Sequence, residues 1–331
     1  MEQGQKLTFI YNIFIMNKRI LAIDIGGTNL RGGLVDLNGE ITKRKKVYSG
    51  ADKGISSLMD NLVKFVSGFR ESRPLAVSIG IPGIVNFKNG ILTQAPNIKD
   101  VDNYPLKNEL ESKLELDIPV QIENDANCAA VGEYWAGAGK GCSSMIMLTI
   151  GTGLGGGLIF DGELWRGEDG MGGEIGHIVI DPAGPLCNCG NHGCLETFVS
   201  ARALDRMVRS NIDLAHEFSG KPYHEVPVAL MNKAIKGDTQ SLEIWKETGM
   251  NLGIGLTTLV NLLNVERIVI GGGISNAWDL FIEHARTELF RRGLRAPVER
   301  AQILKGELGD DAGILGASYL GFRKTGTDPE I

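Results

Sequence analysis

Long apolar runs, surplus positive charge and cysteine are all scarce in this 331-residue chain, and each scarcity closes off a class of function. The most apolar stretch near the amino end, Phe9 to Met16, is broken by Asn12. It falls far short of the roughly 20 residues that a bilayer-spanning helix needs. It also lacks the charged start and small-residue cleavage site of a secretory signal. Because Met16 opens the more natural beginning MNKRILAID, residues 1–16 are expected to be an extension with little bearing on the fold. A cytoplasmic location follows as an expectation. With 34 Lys and Arg against 40 Asp and Glu the net charge is −6, which leaves no electrostatic footprint for nucleic acid or an anionic membrane. The one basic run, KRKK at Lys43 to Lys46, reads as a solvated strand or turn edge.

Only five cysteines are present, yet three of them fall within CNCGNHGC, residues 187–194. In a reducing compartment such a cluster binds metal more often than it forms disulfides. Cys187, Cys189 and Cys194 supply three thiolates, and a tetrahedral zinc site wants a fourth ligand. Of the two nearby histidines, His192 sits inside the loop, where sharing the ion needs a very tight turn. His177 is preferred, since a donor from outside the loop cross-links two segments. Four protein ligands leave no open position, so the ion is expected to be structural. It would fix the loop GGEIGH and the helix start at Leu195-Glu196, whose carboxylates Glu174 and Glu196 are placed to hydrogen-bond a polyol.

What the chain has in abundance is glycine, 45 residues, and its placement reveals a repeat. The segments ILAIDIGGTNLRGGLVDLNGE from Ile20 and SMIMLTIGTGLGGGLIFDGEL from Ser144 match at an offset of 125 positions. Each is an apolar run, a Gly/Thr turn and a second apolar run, the pattern of two strands joined by a hairpin. A duplicated domain explains both. GTGLGG, Gly151 to Gly156, formally matches a dinucleotide fingerprint, but that fingerprint requires a helix after the glycines, and Gly157-Leu158-Ile159-Phe160 reads as a strand. The Walker A pattern is absent too. Glycine hairpins still suit phosphates, because bare backbone N–H groups approach the oxygens closely and Thr28 or Thr152 adds a hydroxyl. Two such hairpins at equivalent places in a duplicated domain would face each other across a cleft as a polyphosphate clamp. Downstream, ERIVIGGGIS is a buried strand running into Gly271, Gly272 and Gly273 and then a helix-like stretch, a plausible seat for a nucleotide's sugar or base.

Between the repeats, SSLMDNLVKFVSGF and YPLKNELESKL have helical spacing, whereas LAVSIGIPGIV and IPVQIEND read as buried strands. Strands alternating with helices indicate α/β architecture. The repeat sets the expected organisation: a small lobe over 17–122, joined by a carboxyl-terminal helix at about 305–322, and a large lobe with the zinc loop over 123–304.

Taken together, DIGGTNLR, GIPGIVN, APN, ENDANCAA, TIGTGLGGG, GEIGH, CNCGNHGCLE and IGGGIS closely resemble the ROK family of sugar kinases, whose members include bacterial-glucokinase-like enzymes. The resemblance runs in order from about residue 20 to 320. It implies a duplicated actin-like or hexokinase-like (ribonuclease H-like) ATPase fold, two lobes around a cleft. It implies Asp125 as the catalytic base, taking a proton from a sugar hydroxyl as the oxygen attacks the γ-phosphate, with Asn124 orienting the sugar. Gly83 and Asn97 are implied from the first lobe, and Glu174, His177 and Glu196 as contacts to sugar hydroxyls, His177 ligating zinc through its other ring nitrogen. ATP phosphates would lie on Gly26, Gly27, Thr28 and Asn29 and on Gly151, Thr152 and Gly153, with Asp24 positioning Mg2+ through water. The implied reaction is ATP-dependent phosphorylation of a hexose, glucose first, with N-acetylmannosamine, N-acetylglucosamine, mannose and fructose as alternatives. A sugar-responsive repressor is the alternative from another class; the twenty or so residues before Ile23 do not read as basic amphipathic helices. A homodimer or higher homo-oligomer is implied by the family alone.

Overall fold

The computed structural model describes residues 18–115 and 117–329. The expected amino-terminal extension, 1–16, lies outside them. Two compact units emerge. One holds the described residues up to Gly141, Leu164–Gly172 and those from Asp310 onward; the other holds Cys142–Glu163 and Gly173–Gly309. Among the described residues no helix is long and apolar enough to cross a membrane.

In the first unit, strands β1 (Ile20–Ile25), β2 (Asn29–Val35), β3 (Ile41–Tyr48), β4 (Ala76–Ile81) and β7 (Val120–Asn124) form a sheet of order β3-β2-β1-β4-β7, and β5 (Ile84–Asn86) pairs with β6 (Ile91–Gln94) in a small hairpin. The pairs β1–β2 and β2–β3 are antiparallel, whereas β1–β4 and β4–β7 are parallel. β1 and β4 are buried along their whole length, as expected of inner strands covered on both faces. KRKK lies on β3, the exposed edge, where charge discourages pairing with another chain. Helix α1 (Ile55–Ser67) buries Ile55, Leu58, Met59, Leu62, Phe65 and Val66, and α2 (Leu106–Leu114) buries Leu106, Leu110 and Leu114, each a single helical stripe.

Helix α3 (Asp125–Ala136) packs on the carboxyl-terminal helix Ala312–Lys324 at backbone distance. A Cβ at Gly316 would stand 1.7 Å from the Cys128 carbonyl oxygen, and one at Gly132 would stand 2.1 Å from that of Ala312. This packing carries the first unit to Gly141, past the boundary expected after residue 122. The terminal helix read from AGILGASYLGF, Ala312 to Phe322, spans Ala312–Lys324; the stretch expected to join it from about residue 305 begins at the end of β12 (Gln302–Lys305), which belongs to the other sheet.

The second unit repeats the topology. β8 (Met145–Ile150), β9 (Leu154–Phe160), β10 (Glu163–Trp165), β11 (Arg267–Gly271) and β12 have the order β10-β9-β8-β11-β12, with β8–β9 antiparallel and β8–β11–β12 parallel. β8 and β9 begin and end 125 positions after β1 and β2. The registers differ by one residue: Ile25 pairs with Leu30, but Ile150 pairs with Leu154. The helices of this unit include α4 (Ala201–Ser210), α5 (Val226–Ile235), α6 (Thr239–Leu263) and α7 (Trp278–Arg292). α6 meets α7 through glycines, since a Cβ at Gly249 would fall 2.2 Å from the Phe281 carbonyl oxygen and one at Gly253 would fall 2.4 Å from that of Ala285.

Candidate active site

β7 delivers Glu123, Asn124 and Asp125 to the start of α3. Asn124 is the N-cap: its Oδ1 accepts from the amides of Ala126 (2.9 Å) and Asn127 (3.0 Å), satisfying donors that the first helical turn leaves open. Its Nδ2 donates to the Gly83 carbonyl at 3.0 Å. Asp125 is the first helical residue, half-buried, with Oδ1 accepting from the Ala126 amide at 2.9 Å. Gly83 has φ +120°, and a Cβ there would lie 2.3 Å from the Gln94 carbonyl oxygen, so only glycine lets this turn close on β6. The turn after β6 carries Asn97, exposed, with the Ile98 amide donating to Ala95. Asn124, Asp125, Gly83 and the Asn97 turn are thereby linked within one unit.

Glu123, quoted in the motif but given no role from sequence, is 2% exposed. Its Oε1 accepts from the Asn124 amide and from Asn127 Nδ2, each at 3.0 Å, and its Oε2 takes Arg166 Nε at 2.6 Å. Arg166 was not anticipated at all. Its guanidinium lies 4.7 Å from the centre of the Phe87 ring. A buried carboxylate at the foot of ENDA was the available signal, since such a group requires a cationic or multidentate partner.

Asp24, the last residue but one of β1, is 8% exposed, with Oδ2 accepting from Arg31 at 2.8 Å; Arg31 also pairs with Asp310 at 2.6 Å. Burial pushes the Asp24 carboxyl up, and Arg31 opposes the shift. The Cys128 thiol lies within reach of Asp24, Asp125 and Glu123; burial and then these carboxylates push it well above its ordinary value. A magnesium ion fits here as a partner held through water, since added positive charge relieves a buried carboxylate. The hairpin beyond Asp24 is closed by the Gly26 amide on Asn29 O at 2.8 Å and leaves Gly27 and Thr28 exposed.

In the second unit the equivalent hairpin is closed by the Gly151 amide on Gly153 O at 2.9 Å, with Thr152 exposed. The strand β9 follows it, as expected, so GTGLGG is a hairpin and not a dinucleotide fingerprint. Gly272, at φ +82°, turns against the same place: a Cβ there would lie 2.4 Å from the Ile150 carbonyl oxygen. The Gly271–Gly273 turn and the Gly151–Gly153 hairpin thus adjoin. Glu196 reaches the hairpin from the other side, its Oε2 accepting from the Leu154 amide at 2.8 Å and lying 2.4 Å from where a Cβ of Gly153 would be.

His177, Cys187, Cys189 and Cys194 present ligand atoms that all lie within 4.8 Å of one another. Cys187 Sγ to His177 Nδ1 is 3.6 Å and Cys189 Sγ to Cys194 Sγ is 3.7 Å. Zinc–sulfur bonds of about 2.3 Å give a tetrahedral edge near 3.8 Å, so the donor set fits a structural zinc. The Asn191 backbone lowers Cys189, whereas burial raises Cys187 and raises Cys194 to about 12. The histidine that joins the three thiols is His177; the His192 ring lies 3.1 Å from Gly184 O instead. With Nδ1 toward the thiols, His177 Nε2 lies 3.9 Å from Glu174 Oε2. The Glu174 carboxyl is raised by partial burial, with His177 opposing and Glu196 reinforcing the shift, and its side chain keeps 55% of its accessible surface. Backbone bonds from Leu195 N to Ile178 O (2.9 Å) and from Ile180 N to Gly193 O (2.9 Å) zip GEIGH to the cysteine loop, which brings Glu174, His177 and Glu196 together.

Two glycine hairpins on duplicated sheets, an aspartate at a helix start and a closed Cys3His centre define a two-unit α/β protein of the sugar-kinase class. Residues 20–324 match the ROK family model. The glucokinase of Thermotoga maritima is 35% identical over 311 residues, covering 91% of this chain and 96% of that one. The crystal structure of a ROK family glucokinase from Streptomyces griseus in complex with glucose and AMPPNP aligns with a TM-score of 0.78 at 35% identity, covering 91% and 98%. The xylose repressor of Caldicellulosiruptor bescii is 33% identical, covering 90% of this chain and 76% of the repressor. The chain belongs to the ROK family.

Proposed function

We propose that the protein transfers the γ-phosphoryl group of ATP to the 6-hydroxyl of a hexose, glucose first. The reading is supported by 35% identity to glucokinases across nine-tenths of the chain and by a likeness to a glucokinase bound to glucose and AMPPNP. The observation that carries it is the Asn124–Asp125 helix start, held to the Gly83 turn by a 3.0 Å hydrogen bond. Asp125 accepts the hydroxyl proton as the sugar oxygen bonds to the γ-phosphorus and ADP leaves with the electrons of the broken P–O bond. Asn124, Gly83 and Asn97 are proposed to orient the sugar, as are Glu174, His177 Nε2 and Glu196. Gly26, Gly27, Thr28 and Asn29, with Gly151, Thr152 and Gly153, offer backbone and hydroxyl donors to the phosphates, and Gly271–Gly273 seat the nucleoside. Magnesium, when bound, supplies charge neutralisation at the β- and γ-phosphates, with Asp24 holding its water shell. The zinc centre holds loop shape and takes no part in the chemistry.

A coupled ADP-release assay over glucose, mannose, fructose, N-acetylmannosamine and N-acetylglucosamine, with ATP and polyphosphate as donors, tests the reading. Glucose with ATP should give the highest kcat/KM. Asp125→Ala should lose about 10²–10⁴-fold in kcat while still binding sugar by calorimetry; a fully active variant would refute the base assignment. The proposal includes a cytoplasmic location, supported by cysteines of which two are buried thiols and three gather with a histidine as metal donors. It also includes a homodimer or higher assembly, supported by the exposed apolar side chains of Leu262 and Leu294, which Asn261 adjoins by sequence and by its bond from the Leu294 amide.

A further inference from the structure

Leu164–Gly172 lies in sequence between two segments of the second unit, and its first two residues end β10, yet the segment groups with the first unit. Two contacts seat it there. Near its start, Arg166 reaches the buried Glu123 at 2.6 Å and stacks on Phe87. Near its end, Gly170 (φ +98°) lies so close to β5 that a Cβ would stand 2.5 Å from the Val85 carbonyl oxygen. Between them the segment closes on itself, the Gly172 amide donating to Arg166 O at 2.8 Å. The next residues are Gly173, Glu174 and the rest of GEIGH.

The same Glu123 that holds Arg166 also accepts from Asn124 N and Asn127 Nδ2 in the first turn of α3. One buried carboxylate therefore holds both the helix start that carries Asp125 and the Arg166 segment within the first unit. We propose that Arg166 is a positioning residue for phosphoryl transfer: through Glu123 it sets the Asn124–Asp125 helix start. A planar guanidinium is required, because it pairs with the carboxylate and stacks on Phe87 at once, whereas an ammonium group can satisfy only the charge. The side-chain bonds of Arg166 go to Glu123 and Leu164 O, so its influence is expected to fall on the Asp125 helix start and the transfer step. The proposal rests on the reading of Asp125 as base.

Arg166→Met, Arg166→Lys and the double variant Glu123→Gln/Arg166→Met, all in the full chain, test it. Arg166→Met leaves Glu123 buried beside no cation and will lower the melting temperature, so the double variant, which removes the buried charge as well, keeps the test readable. In both, kcat should fall about 10–100-fold and the sugar KM should rise, with the ATP KM within about twofold of wild type, as expected for a misplacement of about 1 Å near the reacting oxygen. Arg166→Lys should recover part of kcat. Wild-type kcat and sugar KM in the double variant would overturn the proposal. So would a loss that tracks only the fraction of folded protein, with both KM values unchanged. If Asp125→Ala were itself active, the base reading would fail separately, and the sugar KM of the Arg166 variants would still decide the positioning role.

Discussion

Replacing Asn124 separates two jobs that one side chain performs. Its Oδ1 caps α3 through two amides, and its Nδ2 ties that cap to Gly83. Losing an N-cap costs about 1 kcal/mol, and losing the hydrogen bond to a part-buried carbonyl costs about 1 kcal/mol more. Asn124→Ala should therefore destabilise by about 2 kcal/mol, and at about 2–4 °C per kcal/mol for a unit of this size the melting temperature should drop by about 4–8 °C. Asn124→Ser keeps a capping oxygen but cannot reach Gly83, so it should lose about half as much. Asn124→Asp also keeps the cap, loses the donor, and sets a second negative charge beside Asp125. It should be the least active of the three although it is not the least stable. Differential scanning fluorimetry beside ADP-release kinetics reads both quantities. If Asn124→Ser melts as low as Asn124→Ala, or if Asn124→Ala melts within 1 °C of wild type, the assignment of the two jobs is wrong.

Asp24→Asn should melt higher than wild type at pH 7 while losing activity. A carboxyl whose folded pKa is raised by burial binds its proton more tightly when folded, so its ionised form costs stability above that pKa, and the cost fades as pH falls through it. The gap between variant and wild type should close accordingly in a pH series of melting curves, and a variant that melts lower at pH 7 would contradict this. For the Cys3His centre, one equivalent of zinc per chain should be found by elemental analysis. Cys194→Ser or chelation should release it, raise the sugar KM and expose residues 178–195 to protease; an unchanged KM in metal-free protein would sever the loop from sugar binding.

Much of this was legible from residue order. The hairpin pair was readable because apolar runs and glycine turns recur at a fixed offset, and β8 and β9 fall at that offset from β1 and β2. The metal site was readable because three thiols and a histidine carry specific coordination chemistry. Helix α6 was not foreseen: Gly249, Gly253 and Gly255 look like helix breakers, yet they admit the backbone of α7 and the side chain of Leu195 to within 2.2–2.5 Å of where a Cβ would be. Tertiary packing outweighs their poor helix propensity. Arg166 was missed for a related reason. A repeat marks where a copy begins, but which unit a segment packs into depends on contacts such as Arg166 with Glu123, 43 positions apart.

The one-residue difference in pairing between the two hairpins makes the halves non-interchangeable. Because neighbouring strand residues point to opposite faces, transplanting the Gly151 turn with its pairing into β1–β2 would invert the inside and outside of β2. Leu30 and Leu34 would then trade places with Arg31 and Val35, and the partner of Asp24 would face the wrong way. Descendants of a single ancestral module have in this way become committed to separate tasks, and a chimera built by swapping them would have to restore the missing residue before it could fold.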